Sequence, residues 1–231
     1  DGPASPPRFQ AHRRRASPPV AGSDGWRRLH STHMAKPALP RVLFGTSALG
    51  NLFVEPTHDE KKAVVEQVLK AVPTALFDSA GKYGAGLALE ELGRCLEELG
   101  VEPEQVLISN KLGWKRVPLT TAEPTFEPGA WVNLKNDAVQ AISYDGIMEC
   151  YRQGNALLGK YEARIVSVHD PDEYLGAAAD EADLEARRAD VLGAYRALAE
   201  LKALSYSREL RPRCSRATVE IQPRYSRELR P

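Results

Sequence analysis

From residue 41 to about 204, short apolar runs alternate with stretches of helical periodicity. The runs at 41–46 (RVLFGT), 74–78 (TALFD), 105–111 (QVLISNK) and 164–169 (RIVSVH) have the length and β-branched content expected of buried strands. After the first of them, Ala63, Val64, Val68, Leu69 and Val72 fall at helical spacing, which predicts a helix over 59–71 capped by Thr57, with acid in its first turn. A second helix, 87–99, places Leu89, Leu92, Leu96 and Leu99 on one face and stops at Gly100. Helices over 144–158 and 183–204 complete four βα units. Such alternation belongs to the α/β class, built on a parallel sheet.

The segment 112–141 breaks the alternation, with Pro118, Pro124 and Pro128 among polar residues. A connection of that length reads as a functional loop, here a substrate lid. Its Trp114 and Trp131 offer either surfaces for stacking a sugar ring or a buried anchor for the loop itself. Residues 1–39 are rich in Pro, Ser, Gly and Arg without apolar periodicity and are expected to be disordered. Within them Met34 reads as a start position preceded by translated upstream sequence, although the Arg-rich, acid-poor stretch at 27–32 also has the composition of a transit segment. At the other end SYSRELRP (205–212) recurs as RYSRELRP (224–231), too short and too few for stacked repeats. That region reads as an aberrant or disordered basic tail, or alternatively as a basic docking tail. The chain thus divides into an extension (1–39), a folded body (40–204) and a tail (205–231).

Charge narrows the range of partners. Lys plus Arg and Asp plus Glu balance at 31 each, so neither nucleic acid nor an anionic membrane is expected to bind. No run approaches the ~20 apolar residues of a membrane span, and no secretory signal core is present, so a soluble cytoplasmic protein is expected. Cys95, Cys150 and Cys214 form neither a CxxC pair nor a zinc-type spacing. They read as small apolar residues of a reducing compartment, with no metal site expected.

Chemistry gathers at the strand ends. Asp78 ends the second strand in FDSAGKYG with Tyr83 five positions later, Lys111 ends the third in ISNK, and His169 ends the fourth in VSVHD. Side chains at the C-terminal ends of parallel strands face the crevice where ligands bind. A tyrosine with a pKa near ~10 is a poor acid or base at neutral pH, but a neighbouring ammonium stabilises its phenolate and a carboxylate holds that ammonium in place. A histidine can then orient the substrate oxygen or relay its proton.

In order, GTSALGN (45–51), FDSAGKYG (77–84), ISNK (108–111) and VHDPD (168–172) resemble the aldo-keto reductases, and among them the D-threo-aldose 1-dehydrogenase branch of sugar dehydrogenases. The resemblance covers about 41–204 and implies a (β/α)8 TIM-barrel type fold, of which about the first four βα units, a partial barrel, are recognisable. It implies an NAD(P)-dependent oxidoreductase acting on a sugar or aldehyde. Tyr83 is then the proton donor or acceptor, Lys111 and Asp78 tune it, and His169 orients the carbonyl or hydroxyl. Gly45, Thr46 and Asp78 stand near the nicotinamide. The family draws most of its cofactor contacts from later strands, for which no counterpart is recognisable here. Loss of activity through loss of the cofactor-binding half is therefore one expectation for this chain. The alternative is a catalytically dead half-barrel acting as an interaction or regulatory module, self-associating through uncovered barrel edges.

Overall fold

The computed structural model describes residues 39–209. Four strands, β1 (Phe44–Gly45), β2 (Ala75–Ala80), β3 (Val106–Leu112) and β6 (Ile165–Val168), form one parallel sheet in the order β1-β2-β3-β6. Helices α1 (His58–Ala71), α2 (Leu87–Glu98) and α3 (Tyr144–Leu157) connect them, and α4 (Pro171–Gly176) and α5 (Glu181–Glu209) follow β6. This is the expected α/β arrangement of four consecutive βα units. The barrel is not closed: among the described residues neither β1 nor β6 has a second strand partner.

Alternation along the strands divides the sheet into two faces. Phe77, Val106 and Ile108 point towards the helices and pack with Leu89, Leu92 and Leu96 of α2, all nearly or fully buried. The intervening residues, including Gly45, Asp78, Ser109 and Lys111, lie on the other face, in a register that sets Gly45 beside Asp78 and Asp78 beside Ser109. A second apolar cluster joins Leu112 to Ile147 and Cys150 of α3 and to Ala194, Ala197 and Leu201 of α5.

Helix boundaries follow local chemistry. Thr57 caps α1 with a full capping box, in which its hydroxyl accepts from the Glu60 N–H while the Glu60 carboxylate accepts from the Thr57 N–H at 2.7 Å. Thr57→Ala is expected to cost about 1 kcal/mol, measured by urea denaturation. Gly100, at φ 66°, follows α2 in the left-handed conformation expected of it.

Several expectations are corrected. The segment 112–141 is not wholly loop: β4 (Trp114–Pro118) and β5 (Asn136–Gln140) pair antiparallel across it. Charged Lys115, Arg116 and Asp137 in this ribbon obscured the period-2 signal. The first strand shortens from 41–46 to Phe44–Gly45, since it is an edge paired only with β2. In α1 the buried positions are Lys61 and Val65, whereas Val64, expected inside, is 59% exposed. The last helix runs through Glu209, past the boundary placed at 204, and α4 was not foreseen. The extension and the repeated tail, except for 205–209 within α5, lie outside the described residues. No helix among those described is long and apolar enough to cross a membrane.

Candidate active site

Three of the four expected site residues share hydrogen bonds. Register places Lys111 beside Ala80, so its side chain rises on the same face as Asp78 one pair further along β2. Its ammonium donates at once to the Asp78 carboxylate and, at 2.8 Å, to the Tyr83 hydroxyl. Burial pushes the Lys111 pKa down, but the bonds to Asp78 and Tyr83 outweigh it and the net shift is upward. The amine is thereby held as a cation against the phenol oxygen.

Tyr83 is placed by a tight turn after β2, closed by its N–H donating to the Ala80 carbonyl at 3.1 Å. The turn rests on the one that follows β1. A side chain on Gly50 would meet the Tyr83 backbone at 2.9 Å, and one on Gly84 would meet the Gly50 carbonyl oxygen at 2.3 Å. Both glycines are needed for that approach, and Gly84 also sits at φ 61°.

His169 is brought in from β6. Its N–H donates to the Leu112 carbonyl at 2.7 Å, and its ring meets Tyr83 edge-on, with centroids 5.8 Å apart and planes at 89°. The ring is buried, its Nδ1 has no hydrogen-bond partner among the described residues, and Nε2 lies 3.2 Å from Asp170. All four expected residues therefore converge. Of the remaining candidates, Gly45 borders open space, since an added Cβ would meet nothing within 4 Å. Thr46 is buried, its hydroxyl already donated to the Asp78 carbonyl at 3.1 Å.

The aldo/keto reductase family model matches residues 41–204, the whole parallel sheet and its helices except the last residues of α5. The chain belongs to the aldo/keto reductase family. It is similar to pyridoxal 4-dehydrogenase of Microbacterium luteolum, 29% identical over 167 residues, which are 69% of this chain and 47% of that protein. The chain thus spans about half the length of the curated relative it matches. Among solved structures it is similar to a glycerol dehydrogenase from Gluconobacter oxydans (22% identity, 56% of this chain and 34% of that one, TM-score 0.38). It is also similar to an aldo-keto reductase from Bacillus halodurans (18% identity, 65% and 43%, TM-score 0.39).

Around Tyr83 the chain carries a wall that sequence reasoning missed. Lys82 is only 4% exposed, and its ammonium lies 2.8 Å from Glu127, 3.2 Å from Glu173, 3.7 Å from Asp170 and 5.0 Å above the Trp114 ring. One cation thus joins the β2 turn to the 119–135 loop and to α4. Glu127 also accepts from the Trp131 indole at 2.7 Å, and Trp131 packs against Phe126 and Tyr83. Trp131 is therefore the buried anchor of its loop. A lysine beside the site tyrosine was visible in FDSAGKYG, but its partners lie 45 to 91 positions away in sequence.

Burial lowers the His169 pKa, and the charge of Lys111 adds to that effect against the opposing pull of Asp170. Unfolding restores the ordinary value of ~6.5, so acid protonates the unfolded state first. Stability from this group is present above about pH 6.5 and falls as the pH drops from there towards the lowered folded value. The thermal midpoint of the wild type is expected to fall more steeply with acid across that window than that of His169→Gln.

Proposed function

We propose that this chain carries the proton-transfer centre of an NAD(P)-dependent oxidoreductase acting on a sugar or aldehyde, as an aldose 1-dehydrogenase does. The observation that carries the reading is the single Lys111 ammonium bonded to both the Asp78 carboxylate and the Tyr83 hydroxyl. Bound NAD(P) supplies the hydride acceptor or donor. Gly45, which borders open space, and Asp78 beside it in the sheet are the residues that would hold the nicotinamide end of that cofactor. Thr46 acts indirectly, by fixing the Asp78 backbone.

In oxidation Tyr83 accepts the hydroxyl proton of the substrate, and in reduction it returns a proton to the carbonyl oxygen. Lys111 stabilises negative charge on the phenol oxygen, and Asp78 keeps Lys111 in place. His169, edge-on to Tyr83, orients the substrate oxygen. The test follows NAD and NADP reduction with fucose, galactose and arabinose, and with pyridoxal because the similar dehydrogenase is named for it. Turnover by the wild type that Tyr83→Phe retains in full would remove Tyr83 from this role.

A second reading rests on the sheet. Both outer strands lack a second partner among the described residues, and beside β1 the residues Phe44, Ala63, Val64, Val68 and Ala71 line an apolar groove of about 430 Å³. On this reading the chain is an inactive half-barrel that associates through those edges. Light scattering is expected to show a dimer or larger species, and a folded monomer at all concentrations would refute it.

A further inference from the structure

At the interface of α1 and α2, four side chains converge that the proton-transfer centre does not use. His58 is the first residue of α1, and Glu91, Cys95 and Glu98 follow at i, i+4 and i+7 on one face of α2. The His58 Nδ1 lies 2.8 Å from Glu91 and its Nε2 lies 3.0 Å from Glu98. One donor atom from each of His58, Glu91 and Cys95 falls within 4.8 Å of the other two. Cys95 is a free thiol and fully buried. Glu98 is itself held by Lys62 and Arg94, each at 3.0 Å.

We propose that His58 Nδ1, a Glu91 carboxylate oxygen and Cys95 Sγ form a zinc site, with Glu98 orienting the imidazole through Nε2. Zinc takes nitrogen, sulfur and oxygen donors together and is satisfied by three protein ligands plus a water. The chemistry of the donor set balances the ion: one thiolate and one carboxylate neutralise Zn²⁺, and the imidazole adds no charge. A metal-bound histidine usually donates its other ring N–H to a carboxylate, which is the position Glu98 occupies. Lys62 and Arg94 hold that outer carboxylate and are not themselves ligands.

A bridging imidazolium accounts for His58 between two carboxylates, and Cys95 also packs in the core with Leu92 and Leu96; the metal site accounts in addition for its Sγ lying within 4.8 Å of the His58 and Glu91 donors. Binding releases the thiol proton and, where present, the proton on Nδ1, while Nε2–H stays on Glu98. The site ties the start of α1 to the middle of α2, and it is independent of the oxidoreductase reading.

The test is a titration of the full chain, reduced and stripped of metal with EDTA, with Co²⁺ and then Zn²⁺. One equivalent of Co²⁺ is expected to give a near-ultraviolet thiolate-to-metal charge-transfer band and the visible absorption of a four-coordinate ion, both removed by Zn²⁺. Cys95→Ala abolishes the charge-transfer band, whereas Cys150→Ala and Cys214→Ala keep it. Glu98→Gln keeps the band and weakens binding about 10–100-fold. Zinc also raises the thermal midpoint of the wild type by mass action, and His58→Gln, at a partly exposed ring, removes that rise if Cys95→Ala does not fold. Absence of a charge-transfer band at stoichiometric Co²⁺, its survival in Cys95→Ala, or a zinc-induced rise undiminished in His58→Gln would overturn the site.

Discussion

Tyr83→Phe is expected to lower kcat by about 10²–10⁴-fold, the range lost when a positioned acid or base is removed, with only a modest loss of stability. The substitution deletes one oxygen, whose hydrogen bond is to Lys111. The ring keeps its packing on Trp131 and its edge contact with His169, and Lys111 keeps Asp78. A half-buried hydrogen bond from an ammonium contributes about 1.5–3 kcal/mol, so the denaturation midpoint falls modestly while turnover collapses. Lys111→Met is expected to lose activity to a similar degree but to cost more stability, because it leaves the Asp78 carboxylate, 19% exposed, without its cation. Steady-state kinetics on both variants, read beside urea denaturation, check the pair. Turnover retained in Tyr83→Phe would mean that Tyr83 is a packing residue.

Phe77→Ala is expected to destabilise the fold by about 3–5 kcal/mol, the cost of truncating a buried aromatic. Phe77 is 2% exposed, lies in the central cluster with Leu89, Leu92 and Leu96, and is flanked on both sides by paired strands. Val64→Ala, by contrast, is expected to change stability by no more than ~0.5 kcal/mol, since Val64 is 59% exposed. Denaturant titration of the two variants separates burial from mere hydrophobicity. A large loss in Val64→Ala would show that something covers the groove beside β1, as the self-associating reading requires.

Much of the architecture could be read without coordinates because parallel strands covered by helices are continuous apolar runs, and helices over them repeat leucine every three or four residues. Leu89, Leu92 and Leu96 were identified in this way and are fully buried. The β4–β5 ribbon escaped because Lys115 and Arg116 sit at partly exposed positions and the buried Asp137 is held by hydrogen bonds to Thr125 and Ala138, so no apolar alternation marks the strands. Val64 misled for the opposite reason. Its spacing fits a helix face, but the sheet it would cover ends at β1, so that face meets no further strand among those described.

The sequence by itself determined the class of fold and the residues of the candidate site, because Asp78, Lys111 and His169 interrupt apolar strand runs at equivalent ends, where only a crevice accommodates them. What only the tertiary structure decided is how distant charges meet. Lys82 finds Glu127 and Glu173 across 45 and 91 positions, and His58 finds Glu91 and Glu98 across 33 and 40. No local pattern encodes such pairs, since they depend on which turns and helices the sheet brings side by side. The buried Cys95 was likewise legible only as a small apolar residue until the fold set it beside His58.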